Sequence, residues 1–224
     1  TLGPVALIAR DVNTGGMISS ASGGIALAGS LVDWMFLRSA GQISATATTG
    51  DLRIAEVAGG GNAVFQASGS MTFNRIDANG DIALDAGTIR FNEIVAGQSV
   101  SLVSRSDIVG ARIVAAQIVR LEAGSGGAGS IRVTSMDAGS FDLTSTGALD
   151  FGTITVAEDI AVNGLTVSGT LVQKPGIAAP LQVTATGPDG ALGEQLALTI
   201  DAPRGVLFDV LHFRNAVIVA NTPS

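Results

Sequence analysis

The chain has 224 residues, of which 46% are hydrophobic and 14% charged, with a formal net charge of −7. That is too apolar for a disordered segment, and the acidic balance excludes non-specific nucleic-acid binding, which needs clustered cations to displace counterions. There is no Cys, so disulfides and thiolate zinc sites are excluded. The longest apolar stretch, Val206 to Ala220, is broken by Asp209, His212, Arg214 and Asn215, so no membrane span is expected.

From the start of the chain a short apolar phrase returns at nearly constant spacing. Val5-x-Leu7 and Ile25-x-Leu27 open a series that continues as Ile43-x-Ala45, Ala63-x-Phe65, Ile82-x-Leu84, Val100-x-Leu102, Val119-x-Leu121, Phe141-x-Leu143 and Ile160-x-Val162. A second phrase follows from Leu52-x-Ile54-x-x-Val57 through Met71-x-Phe73-x-x-Ile76, Ile89-x-Phe91-x-x-Ile94 and Ile108-x-Gly110-x-x-Ile113 to Ile131-x-Val133-x-x-Met136 and Leu149-x-Phe151-x-x-Ile154. Apolar residues two apart mark strands, because neighbouring side chains leave opposite faces of a pleated backbone. A period near 20 residues holding two or three such strands predicts one coil of a parallel β-solenoid. The fold class is therefore all-β, a right-handed parallel β-helix of about nine coils, with handedness taken from the crossover rule.

Residues 1–173 are expected to form this helix and residues 174–224 a C-terminal cap or small β-rich interaction segment. The inward residues include Ile82, Leu84, Ile89, Phe91, Ile94, Val100, Leu102 and Ile113. The segment 31–37, with Trp34 and Met35, interrupts the pattern and reads as a bulged coil in preference to a helical turn. A weak third strand is expected after each second phrase, with Ala78, Ala96, Ala115 and Ala138 inward at a narrow corner of a triangular section. All six prolines lie outside residues 5–174, where every N–H is needed by the next coil. Gly59-Gly60-Gly61, Gly80, Gly97, Gly124 and Gly139 fall between strands, where positive φ is often wanted.

Two columns test the register. The inward column places Phe73 beside Phe91 and Phe91 beside Gly110, whose missing side chain leaves room for the ring. The outward column reads Glu56, Arg75, Glu93, Arg112, which sets opposite charges on successive coils.

The motifs that could carry chemistry have structural explanations. Gly124 to Gly129 lacks the Lys and Ser/Thr of a phosphate loop and leads into a strand, which reads as a corner insertion. Asn79-Gly80-Asp81 and Asp189-Gly190 are isolated pieces of a calcium repeat, not the repeat. His212 is the single histidine and no nucleophile elbow is present. The outward acids do not cluster: Asp77 and Asp137 are separated by Val95 and Val114, and Asp51 and Asp107 by Ser70 and Thr88. No catalytic, cofactor-binding or metal-ligating residue is assigned, and no cofactor is expected.

The phrases Gly80-Asp81-Ile82-Ala83-Leu84-Asp85-Ala86-Gly87, Ser99-Val100-Ser101-Leu102-Val103-Ser104 and Phe141-Asp142-Leu143-Thr144-Ser145-Thr146-Gly147 resemble the coils of filamentous-haemagglutinin-type exoproteins. The resemblance covers roughly residues 1–173 and is one of repeat grammar. It implies a secreted bacterial cell-surface protein of the two-partner secretion kind, with an outer-membrane secretion partner. The family's Asn-Pro-Asn motifs are not found here, which fits an internal or C-terminal piece of the rod. The function expected is a non-catalytic structural or adhesive segment that meets a host or bacterial surface glycan or protein. The alternatives are a carbohydrate-active β-helix enzyme and a carbohydrate- or partner-binding module.

Overall fold

The computed structural model describes residues 3–221, and these form a parallel β-solenoid of about eleven turns. The first coil is β1 (Val5–Ile8) and β2 (Val12–Ser20), the second β3 (Ile25–Gly29) and β4 (Leu31–Ser39), the third β5 (Ile43–Ala47) and β6 (Leu52–Gly59). The fourth is β7 (Ala63–Ala67) and β8 (Ser70–Ala78), the fifth β9 (Ile82–Ala86) and β10 (Thr88–Ala96), the sixth β11 (Val100–Ser104) and β12 (Ile108–Ala115). Next come β13 (Ile118–Ala123) and β14 (Ile131–Ala138), β15 (Ser140–Ser145) and β16 (Ala148–Val156), β17 (Asp159–Asn163) and β18 (Thr166–Gln173), and β19 (Leu181–Thr186) and β20 (Gly193–Asp201). The last coil is one strand, β21 (Val206–Asn221). Short strands pair with short strands and long with long, all in parallel, so each coil stacks on the one before. At about 4.8 Å per coil the rod is about 50 Å long.

The long strands explain the weak third strand expected from the sequence, and they correct it. In β8 the side chains of Met71, Phe73, Ile76 and Ala78 are buried while Asn74 and Arg75 are both exposed. Two adjacent outward residues mean that one continuous strand bends there, so Ala78, Ala96, Ala115 and Ala138 end the second strand and do not belong to a third. All eight residues expected inward are buried.

The segment 31–37 is not a bulge. Strand β4 pairs with β6 as Val32 with Leu52, Trp34 with Ile54 and Leu37 with Val57. The second phrase is therefore present as Val32-x-Trp34-x-x-Leu37. It is disguised because the outward pair at the bend is Met35-Phe36, apolar where later coils carry polar residues. Strand β2 holds a further copy, Asn13-x-Gly15-x-x-Ile18, with two glycines and a buried Asn. These two phrases complete coils already counted from Val5 and Ile25; the two coils beyond Gln173 raise the count from nine to about eleven.

Beyond Gln173, strands β19, β20 and β21 extend both ladders, with one small register shift between Val183 and Thr184 where β19 meets β21. The expectation of left-handed corner glycines holds at Gly124 and fails at Gly59, Gly60, Gly61, Gly80, Gly97 and Gly139, which lie outside the positive-φ set. A Cβ on Gly60 would lie 2.2 Å from the Ala40 carbonyl oxygen, and one on Gly97 2.2 Å from that of Asn79. Close coil stacking, not backbone handedness, demands glycine there. In the Gly124–Gly129 insertion two residues do take positive φ, Gly124 at 91° and Gly127 at 146°.

Candidate functional site

The residues with chemical potential lie on the outside of the rod, and most of them join one coil to the next. Arg75 pairs in register with Glu56 and Glu93, and Glu93 with Arg112. The Arg75 guanidinium lies 2.9 Å from Glu93 and 3.0 Å from Asp77, and Arg112 holds the other Glu93 oxygen. These carboxylates raise the Arg75 pKa above its ordinary value, Asp77 by hydrogen bonding first and Glu93 by charge second. Further pairs cross one coil step at Arg120–Asp142 (3.1 Å) and Arg132–Asp150 (3.7 Å).

Two cations reach farther. Arg105, 3.6 Å from Asp85 one coil back, also donates to the carbonyls of Ala67 and Ser68 two coils back, at 2.9 and 2.8 Å. Lys174 lies 2.7 Å from Asp137, again two coils away.

The acids at the corners close coil junctions. Asp51 accepts hydrogen bonds from the Ser70 backbone N–H and hydroxyl, both at 2.9 Å. Those bonds, with Arg53 beside it, hold the Asp51 carboxyl below the usual carboxylate range. Asp107 accepts from the Ser130 N–H at 2.9 Å, and Asn62 and Asp81 accept from the N–H groups of Asp81 and Ser99 at 3.0 Å. Asp51 and Asp107 stay apart, as their spacing predicts, and each closes its own coil junction, a role that the spacing does not reveal. Its signal is a short polar side chain at the same corner on successive coils.

Within the core, Ser104 and Ser145 sit among alanines at the ends of the short strands and are fully buried. Ser145 donates to the Gly129 carbonyl at 2.7 Å and accepts from the Gly147 N–H at 3.2 Å. They add to a backbone bond that already crosses each corner, from the Gly147 N–H to the Gly129 carbonyl at 2.8 Å and from the Ser106 N–H to the Gly87 carbonyl at 2.9 Å.

One concave surface stands apart from this stapling. A groove of about 450 Å³ runs over the bends of the second to fourth coils, lined by Asp33, Trp34, Met35, Arg53, Thr72 and Asn74 among others. It sets hydroxyl, amide and charged groups beside the apolar surface of Trp34 and Met35, a mixture suited to ligands with both hydroxyls and apolar faces. The indole Nε1–H of Trp34 donates to Asn13 at 3.0 Å, which fixes the ring. His212 lies on the exposed last strand with Nδ1 3.2 Å from the Gly190 carbonyl oxygen. Among the described residues no group of three His, Cys, Asp or Glu side chains is placed to hold a metal ion, and no helix is long and apolar enough to cross a membrane.

Comparison with known proteins leaves the fold to stand by itself: the chain matches no family, no curated protein and no solved structure at significant similarity.

Proposed function

We propose that this chain is a non-catalytic, rod-forming segment of a secreted bacterial surface protein, and that it serves in adhesion. The observation that carries the reading is the use of its charged side chains. Arg75, Glu93, Arg112, Arg120, Arg132 and Arg105 all bridge successive coils and stiffen a continuous dry core. Such a rod holds whatever it carries at a fixed distance from its anchorage. The secreted, two-partner setting and the outer-membrane partner rest on the resemblance of the repeat phrases alone.

The groove over the second to fourth coils is the surface proposed for contact, with a cell-surface glycan as the ligand class. The test is retention of the labelled chain on a panel of neutral and acidic glycans and on intact cells, beside a Thr72→Ala/Asn74→Ala double variant. Retention that the double variant loses supports the reading. Release of shortened sugars from any polysaccharide overturns the non-catalytic part, and retention unchanged in the variant overturns the groove.

A further inference from the structure

The groove over the second to fourth coils contains a carboxylate with no counter-charge. Asp33 lines it and is exposed, yet among the described residues it joins no ion pair and accepts no hydrogen bond. Its neighbours in register are Thr14 and Arg53. The Arg53 guanidinium turns back along its own chain to Asp51, 3.0 Å away, and Asp51 is itself anchored by Ser70.

The charge left over in the groove is therefore that of Asp33. Arg90 stands three places along the same outward column, after Arg53 and Thr72. At one strand spacing per coil it is about 14 Å away. That exceeds the screening length of physiological salt, about 8 Å, so Arg90 does not serve Asp33.

Beside this carboxylate lies an apolar wall. Met35 is 69% exposed, and the Trp34 ring fills the place of the missing side chain of Gly15, with its Nε1–H tied to Asn13. Thr72 and Asn74 line the same groove from the fourth coil.

We propose that the groove selects a glycan bearing a free amine, an inference that rests on the groove being the contact surface. The sugar's ammonium supplies the cation that Asp33 lacks, with the electron-rich indole close by. Its apolar ring face lies on Trp34 and Met35, and its hydroxyls reach Thr72 and Asn74. An acidic sugar would set a like charge beside Asp33, and an N-acetylated one offers it only a neutral donor.

The test compares short, fully deacetylated chitosan oligomers with N-acetylated oligomers of equal length, in mildly acidic, low-salt buffer that keeps the amines charged. Affinities are read by calorimetry for the parent, Asp33→Asn and Asp209→Asn, after circular dichroism confirms that each keeps its β spectrum. The parent should prefer the deacetylated oligomer by about fivefold, the scale of one partly exposed ion pair. Asp33→Asn should lose that preference and keep its affinity for the N-acetylated oligomer. Asp209→Asn, which removes the same charge from the exposed last strand, should retain the preference. Equal affinity of the parent for both oligomers, or affinity for neither, overturns the proposal, while the Thr72→Ala/Asn74→Ala variant judges the groove separately by weakening both oligomers. A preference that survives Asp33→Asn, or that Asp209→Asn also abolishes, belongs to the overall acidity of the chain and overturns it as well.

Discussion

The ring of Phe91 fills the space that a side chain on Gly110 would need. A Cβ at Gly110 would lie 2.1 Å from two of the ring carbons. The same arrangement recurs with Trp34 against Gly15 and Phe151 against Gly169, in the same column of the core. Gly110→Val should therefore overpack the core and destabilise by about 1–3 kcal/mol. Phe91→Ala should cost about 3–5 kcal/mol through the opposite fault, a cavity. Chemical denaturation of Phe91→Leu/Gly110→Ala checks the pairing: its loss should be smaller than the sum of the two single variants, and additive losses would break the link.

Glu93 is held between two arginines on neighbouring coils, so Glu93→Arg sets three like charges in a row. Stability at low salt should fall by ~0.5–2 kcal/mol and recover in part as salt is raised. Adding Arg112→Glu should return part of the loss, because Arg75 keeps Asp77 as a partner. A charge reversal that is neutral at low salt would show that the outward column does not set stability.

Asp51 links folding to pH in a defined direction. Its folded pKa is depressed below 3.8, so its contribution is fully present above the unfolded value and is lost as pH falls through the folded one. Asp51→Asn should therefore be less stable than the parent at neutral pH, by about 1 kcal/mol or less. The two denaturation curves should converge in acid, below about pH 4. A gap independent of pH would assign the effect to shape instead of charge.

Ser145→Ala isolates a buried hydrogen bond from packing, because Ala123 occupies the preceding place in the same column. The substitution removes the hydroxyl's bonds while the Gly147 N–H keeps the Gly129 carbonyl, and should cost about 0.5–1.5 kcal/mol. Hydrogen exchange should report faster exchange at Gly147 than at Ser104, two coils away, and equal rates would remove the hydroxyl from the account.

The coil is legible where the pair at the bend is small or polar, as at Asn74-Arg75 and Asn92-Glu93. From Leu52 to Ile154 the phrases carry the register that the ladders show, down to Phe73 beside Phe91 and Glu93 beside Arg112. Legibility fails where large apolar residues stand at the bend or fill most outward positions of a strand. Met35 and Phe36 made β4 look irregular, and Leu207, Val210, Val217 and Val219 hid the ladder inside β21. The corner acids went unread for another reason: a bond from Asp51 to the Ser70 N–H joins residues in different coils, and only stacking brings them together. The groove by Trp34 combines three coils at a bend whose direction no spacing rule encodes.

Arg105 and Lys174 give the rod an uneven resistance to unwinding. Contacts in a solenoid run between nearest neighbours, so loosening that begins at an end can advance coil by coil. The chain around Lys174 cannot peel away without giving up its hold on Asp137 two turns below, and Arg105 grips Ala67 and Ser68 in the same way. Under tension applied at the ends, the molecule should lengthen smoothly through its outer turns and then pause at these two stitches, where more than one turn must yield at once.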